Sequence, residues 1–359
     1  MKVCIIGDGL ISLSLANVLI QKRIRVDILS NKKNNKYEKS RTLGISKSNV
    51  DYFNKNIINI EKVLWPIKHI KVFTEKNMKK EILNFYDKKK QIFSIVENYK
   101  LQKLLSGRLN NNKLVNFKKD YSYKEITKKK YNLIINCNPN HEVTKKFFSK
   151  RFEKNYYSYA YTAIIEHKKI TNETAFQNFT NNGPIAFLPI SETKTSVVYS
   201  FKSKDKKKSN DIKNLIRKYN PIYSIKKIYA FSFFELRSSN LRKYYESNIL
   251  AFGDLLHKIH PLAGQGFNMS LRDIRLLSDL INEKITLGLE VDGNICHEFQ
   301  KNSQDKNYIF SFGIDLIYEL FNLESKFDSK LISKSVKLVG NNKTLNSIFK
   351  KFANDGFQI

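Results

Sequence analysis

Lys2-Val3-Cys4-Ile5-Ile6-Gly7-Asp8-Gly9-Leu10-Ile11-Ser12 is the stretch that decides the fold. The apolar run Lys2–Ile6 predicts a buried strand, and Leu13–Ile20 has the apolar spacing of a helix. Gly7-Asp8-Gly9 turns the chain between them, and Ile24–Leu29 is the next strand. Strand, glycine turn, helix and strand form the βαβ opening that binds dinucleotides, with phosphates resting on helix N–H groups that lack partners inside the helix. A plain strand-to-helix turn uses the same residues. The position of the turn, between a strand and a helix at the head of the chain, favours the nucleotide. Ser12 stands where a third glycine is usual, and a side chain that small predicts only mild strain.

A second stretch makes the same case from the other end. Gly253-Asp254-Leu255-Leu256-His257-Lys258-Ile259-His260-Pro261-Leu262-Ala263-Gly264-Gln265-Gly266-Phe267-Asn268 follows the apolar strand Ile249–Phe252 and precedes a helix over Leu271–Ile281. Glycines let backbone approach a ligand without Cβ atoms in the way. The helix start offers free N–H groups, and Asp254 at the strand end can accept hydrogen bonds from ligand hydroxyls. The pattern predicts a cradle for a cofactor bearing hydroxyls and electron-rich oxygens. His257 and His260 have H-x-x-H spacing but lie in a loop without an evident third ligand, so loop packing is expected and a metal is not.

Composition bounds the rest. The chain has 359 residues, 41% of them hydrophobic, enough for two or three coupled domains with real cores. Lys and Arg total 64 against 33 Asp and Glu, a net charge of +31. That field favours anionic partners such as acidic lipid, while solvated lysines in a composition rich in Lys, Asn and Ile are the plainer reading. Lys88–Lys90, Lys128–Lys130 and Lys206–Lys208 are not interleaved with aromatics and no DNA-reading motif is present, so nucleic acid is not expected. Cys4, Cys137 and Cys296 form no paired spacing, which argues against disulfides and zinc and for a reducing compartment such as the cytosol. No leader peptide and no membrane-spanning helix are expected.

Further strands are predicted at Ile67–Phe73, Glu81–Phe85, Tyr131–Asn136, Tyr157–Glu166, Ile185–Pro189, Ser196–Phe201 and Ile225–Glu235, and helices at Val96–Leu109, His141–Lys150 and from His297 onward. Phe176, Phe179, Phe187 and Phe267 suit either an apolar pocket or ordinary core. Leu316–Phe352 mixes apolar residues with many lysines, which suits a helix packed on the sheet or one lying on an anionic membrane.

On these residues the chain resembles the FAD-dependent aromatic hydroxylases of ubiquinone biosynthesis, which share the fold of para-hydroxybenzoate hydroxylase. The resemblance is carried by Gly7–Ser12, by Ser40-Arg41-Thr42-Leu43-Gly44-Ile45-Ser46, by Val96-Glu97-Asn98 leading to Leu101 and Gln102, by Gly183–Pro189 and above all by Gly253–Asn268. It implies an α/β fold: a Rossmann-like FAD-binding domain (1–65, 95–155, 245–285) interleaved with a mostly antiparallel substrate-domain sheet (66–94, 156–244), plus C-terminal helices (286–359). It implies that Gly7, Gly9 and Ser12 lie at the pyrophosphate and that Ser30 lies by the adenosine ribose. Arg41 and Gln102 would contact the cofactor. Gly253 and Asp254 would hold the ribityl chain. Pro261, Gly264, Gln265, Gly266, Phe267 and Asn268 would lie along the isoalloxazine. The flavin then carries the chemistry with no catalytic side chain required, and NADH or NADPH serves as transient electron donor. The implied substrate is a polyprenylated phenol. The implied setting is peripheral to the inner membrane, at its anionic surface or beside other proteins of ubiquinone biosynthesis. A non-catalytic flavoprotein-like subunit that binds isoprenoids or partner proteins, and a flavin-dependent isoprenoid reductase, are the alternatives.

Two departures from the family pattern bear on these roles. Ser30 replaces the acidic residue that usually ends the second strand. Asn138, Pro139 and Lys145 stand where the family carries an Asp-Gly pair and a later Arg, a motif serving FAD and nicotinamide handling.

Overall fold

The computed structural model describes residues 1–30, 39–75, 81, 83–86, 91–119, 121–202, 209–229, 231–261 and 264–327. β1 (Lys2–Ile6), α1 (Leu10–Gln21) and β2 (Arg25–Leu29) form the expected βαβ opening. β3 (Thr42–Ser46), α2 (Lys47–Asn56), β4 (Leu64–Ile67), β5 (His69–Thr74), β6 (Leu83–Tyr86) and β7 (Phe93–Glu97) follow. Next come α3 (Asn98–Asn110), β8 (Val115–Lys118), α4 (Tyr123–Lys128), β9 (Leu133–Asn136) and α5 (Glu142–Phe147). β10 (Arg151–His167), β11 (Thr174–Thr180), β12 (Gly183–Pro189), β13 (Lys194–Lys202), α6 (Ser209–Lys218), β14 (Ile225–Ile228) and β15 (Ser232–Leu241) build the middle of the chain. It closes with β16 (Tyr245–Glu246), β17 (Ile249–Ala251), β18 (His257–Lys258), α7 (Gln265–Thr286) and α8 (Asn294–Phe327).

The first sheet runs β16-β17-β9-β1-β2-β8, and β17, β9, β1, β2 and β8 are mutually parallel. Parallel strands are covered on both faces, so they read as unbroken apolar runs. Val3 to Ile6 and Leu133 to Ile135 are almost wholly buried. The same enclosure explains α1, buried from Ser12 to Ile20 between the sheet, α3 and α7. Asp27 sits inside this core, bound by Lys118 (2.7 Å), Tyr131 (2.6 Å) and Lys2 (3.1 Å). Although burial opposes the charge, these donors draw its carboxyl down to about 2.

The second sheet runs β18-β15-β10-β13-β12-β11-β5-β6, with β14 paired to β10. It is antiparallel as expected except where β11 meets β5 in parallel. One face, with Tyr161, Ala163, Ile165, Ile185, Phe187, Val197 and Tyr199, packs on Ile212, Ile216 and Tyr219 from α6 and just beyond it. By strand alternation the other face carries Thr162, Ala186, Ser196 and Val198.

Several element boundaries are corrected by the structure. The segment Ile225–Glu235 is two strands, β14 and β15. Val96 and Glu97 end β7, so the helix starts at Asn98. Only Glu142–Phe147 is helical in the stretch His141–Lys150. β10 begins at Arg151 because Arg151–Asn155 pair with Arg237–Leu241 on β15. β3, β7 and β4 form a separate three-stranded sheet that joins the two larger ones. Helix α8 bears out the helical reading as far as Phe327, while the remainder of Leu316–Phe352 lies outside the described residues.

Candidate cofactor site

Strand order builds the site. With β17, β9, β1 and β2 adjacent and parallel, their carboxyl ends lie in one row: Gly253-Asp254, Cys137-Asn138, Gly7-Asp8-Gly9, then Ser30. At roughly 4.8 Å per strand the row spans about 14 Å. Ligands of open α/β sheets bind at this end.

The glycines fit these turns. Gly7 has φ +107 and packs on Asn138, whose N and Cβ stand 3.6 Å from where its own Cβ would lie. Gly9 caps α1, and a Cβ built there meets nothing within 4 Å, so the helix start faces open space. Gly253 has φ +63, and an added Cβ would lie 3.2 Å from the Ile11 side chain. The two glycine motifs, far apart in sequence, therefore touch. Asp254 beside them is exposed, and its carboxylate has no ion-pair or hydrogen-bond partner among the described residues. Ser12 is buried in the first turn of α1, next to Cys137, whose thiol is pushed up to about 12 by burial.

Asn138 holds its turn together. Its N–H donates to Asn136 Oδ1 (3.0 Å), its Oδ1 accepts from Asn140 N–H (2.9 Å), and its carbonyl accepts from Thr144 Oγ1 (2.7 Å). The departure from Asp-Gly thus keeps a closed turn against Gly7. Ser30 N–H donates to Lys118 O (3.0 Å), which places Ser30 at the end of β2 beside β8.

The second part of the site is the start of α7. Gly264, at φ +63, caps the helix and lies on β3, with Gly44 N 3.6 Å from an added Cβ. Gly264 N–H closes a turn onto Pro261 O (3.2 Å). Asn268 welds the helix start to β3. Its Nδ2 donates to Gly44 O (2.9 Å) and Gly264 O (3.2 Å), and its Oδ1 accepts from Ser46 N–H and Asn49 Nδ2 (both 2.9 Å). That amide is saturated by protein, so Asn268 serves a ligand only through its backbone. Phe267 is a correction of the same kind: its side chain is in the core, not on a pocket. Phe187 likewise faces α6, with Phe176 paired to it, while Phe179 packs against Ile259 and Met269. Gln265 Oε1 is buried with no hydrogen-bond partner among the described residues, an orphaned acceptor in the first turn. A Cβ added at Gly266 would lie 3.9 Å from Ile259 Cγ1, an ordinary contact distance. The exposed Gly9 at the start of α1, the open space beside it and the unmet Gln265 oxygen all fit a long cofactor bearing hydroxyls, phosphates and a hydrogen-bonding ring.

Arg41 and Gln102 share an edge: Asn98 N–H, at the start of α3, donates to Arg41 O (3.1 Å), and Gln102 lies half-buried one turn on. The Arg41 guanidinium sits over the Phe234 ring at 4.9 Å. Hydroxyls close the seam on both sides of it. Ser40 Oγ meets Ser232 Oγ (2.7 Å) and Thr162 Oγ1 (3.3 Å), and Thr42 Oγ1 meets Ser196 Oγ (2.8 Å).

His257 and His260 do not converge. His257 Nε2 pairs with Asp273 Oδ2 (2.5 Å), while His260 stacks on Tyr318 at 4.2 Å. Among the described residues no cluster of three metal-ligating side chains occurs. Sequence reading missed Gly44 and Asn49. A glycine inside a strand was the available signal for Gly44: an added Cβ would lie 1.8 Å from Phe93 Cε1.

Comparison with known proteins agrees with this geometry. The model of an FAD binding domain matches residues 150–286. The chain is 24% identical over 217 residues to the mitochondrial ubiquinone biosynthesis monooxygenase COQ6 of Caenorhabditis elegans, 48% of each chain. It is 28% identical over 175 residues to the 3-demethoxyubiquinol 3-hydroxylase of Escherichia coli, 46% of this chain and 45% of that protein. The matches therefore span about half the length of these curated relatives. The structure of p-nitrophenol 4-monooxygenase from Pseudomonas putida superposes with a TM-score of 0.79 at 10% identity, over 99% of this chain and 98% of that one. The fold is that of the solved p-nitrophenol 4-monooxygenase, and over about half its length the chain is similar to ubiquinone-biosynthesis hydroxylases, in keeping with the resemblance carried by Gly7–Asn268.

Proposed function

We propose that this chain is an FAD-dependent monooxygenase that hydroxylates the aromatic ring of a polyprenylated phenol in ubiquinone biosynthesis, with NADH or NADPH as transient electron donor. The observation that carries the reading is the row of strand ends from Ser30 through Gly9 to Asp254, with α7 packed against the Gly253–Leu255 turn. The names of the relatives support the reaction class. Bound FAD supplies the redox chemistry and the activation of dioxygen.

This chain's residues do the rest. The first-turn N–H groups of α1 and the open space at Gly9 take the pyrophosphate, and Asp254 accepts from ribityl hydroxyls. The amino end of the 22-residue α7 favours negative charge on a reduced ring. Above it the sheet offers Ala186 and Val198, small apolar groups suited to a flat phenol. The Ser40, Thr42, Thr162, Ser196 and Ser232 contacts fix that sheet over the cofactor domain and help exclude water.

A polyprenyl substrate is dissolved in lipid. The net charge of +31 favours peripheral contact with an anionic membrane, or with partner proteins there, from the cytoplasmic side. No helix among the described residues is long and apolar enough to cross a membrane. The decisive experiment measures phenol-stimulated oxygen uptake by the FAD-loaded protein with NADH or NADPH, and the mass of the product. One added oxygen atom supports hydroxylation. Flavin binding without phenol-driven oxygen uptake would favour the non-catalytic or reductase reading, for which the changes at Ser30 and Asn138-Pro139 are the motive.

A further inference from the structure

The carboxyl-terminal helix reaches the flavin loop through three rings. His260 immediately precedes Pro261 and is 1% exposed. It stacks on Tyr318 of α8, with centroids 4.2 Å apart and planes 30° apart. Tyr156 of β10 stands edge-on to both rings, 4.9 Å from His260 and 5.2 Å from Tyr318. The Tyr156 hydroxyl donates to Asp315 of α8, and Ser238 Oγ donates to the other Asp315 oxygen at 3.5 Å. A second tie lies about three helical turns earlier on α8: Asn307 donates to Asp273 Oδ1 (3.0 Å), and Asp273 holds His257. Between the ties, Phe310 and Ile314 pack on Ile259 and Met269. Helix α8 thus grips the segment His257–Pro261 at both ends.

Apolar contact alone would anchor the helix. The ring cluster adds directional groups that are costly to bury unless their partners are in register, which fixes orientation as well as proximity. Burial holds His260 down to about 3, so it enters the cluster as a neutral ring.

We propose that Tyr318, flanked by Tyr156, is a positioning residue for the flavin: it fixes His260 and, through it, the adjoining Pro261. This rests on the FAD reading above.

The test compares Tyr318→Leu, Tyr318→Phe and Tyr156→Phe in the full chain, by FAD dissociation constant from flavin fluorescence and by the visible band shape of the bound flavin. Urea midpoints are measured alongside, with Ile216→Val in the α6 core as a control for stability loss alone. Tyr318→Leu is expected to weaken FAD at least tenfold and to change the flavin band. Tyr318→Phe keeps the stack and is expected to stay within about twofold of wild type. Should Tyr318→Leu fail to fold, Tyr156→Phe removes only the hydroxyl to Asp315 and is expected to weaken FAD several-fold. Unchanged affinity and band shape in Tyr318→Leu, or in Tyr156→Phe where the former does not fold, overturns the proposal. So does a change no larger than that of Ile216→Val. A wild-type chain that takes up no FAD overturns the functional reading itself, which separates the two failures.

Discussion

Replacing Asp254 by Ala separates ligand binding from folding more cleanly than any other change in this site. Asp254 is exposed at the end of β17, and its carboxylate makes no ion pair or hydrogen bond with the described residues. The protein itself therefore loses little, and surface substitutions of this kind stay within about 0.5 kcal/mol. A ligand hydroxyl bound to that carboxylate loses a charge-assisted hydrogen bond worth about 1.5–3 kcal/mol. The FAD dissociation constant should rise roughly 10- to 150-fold, since each 1.4 kcal/mol is about a factor of ten. Titration of the apoprotein with FAD, followed by flavin fluorescence, measures the first quantity, and a urea midpoint measures the second. Weaker FAD with an unmoved midpoint is the expected pair. An unchanged dissociation constant would refute the role given to Asp254, and a large drop in midpoint would refute the view that its side chain serves only a ligand.

Other changes follow from the same geometry. Ser30→Glu should restore the missing charge beside the adenosine ribose and tighten FAD by about one to two orders of magnitude in the same titration. If affinity stays flat, a neighbour already fills that role. Gly183→Ala should lower the urea midpoint strongly, by about 2–4 kcal/mol, because φ is +123 and the new Cβ would lie 2.0 Å from Ser200 O. Acid should destabilise the chain in two windows. His260 titrates near 6.5 when unfolded but only at about 3 when folded, so the unfolded chain binds the extra proton, and stability falls by about 1.4 kcal/mol per pH unit from 6.5 downward. Asp27 acts lower: its stabilisation is present above its ordinary 3.8 and is lost as pH falls toward about 2. Denaturation at pH 7 and pH 4.5 should show the first slope, and His260→Gln should flatten it.

The parts of the fold legible in sequence are those whose periodicity is set locally. β1, α1, β2 and β17 are enclosed on all sides, so their apolar runs stand out. Helix α6 also carries a local signal, with Ile212, Leu215, Ile216 and Tyr219 on one face. The first half of β10 carried none. Arg151-Phe152-Glu153-Lys154-Asn155 is polar and becomes a strand only because β15 pairs with it. Tertiary pairing overrides propensity there.

The site shows the same division. Glycines at forced backbone angles announce themselves, and Gly7, Gly253 and Gly264 all have positive φ. What each side chain does was less legible. Asn268 and Phe267 sit in the most informative motif of the chain, yet one is consumed by β3 and the other by the core. The joining of β3 and α2 to α7 needs Gly44 and Asn49 to meet Asn268, more than 200 positions away. No local pattern encodes that contact.

A visible-light titration of the purified full chain with FAD goes straight to whether the row from Ser30 to Asn268 is a flavin site. A flavin band that stays with the protein after gel filtration at one FAD per chain is the expected result. Protein that emerges without flavin absorbance after incubation in excess FAD would contradict it.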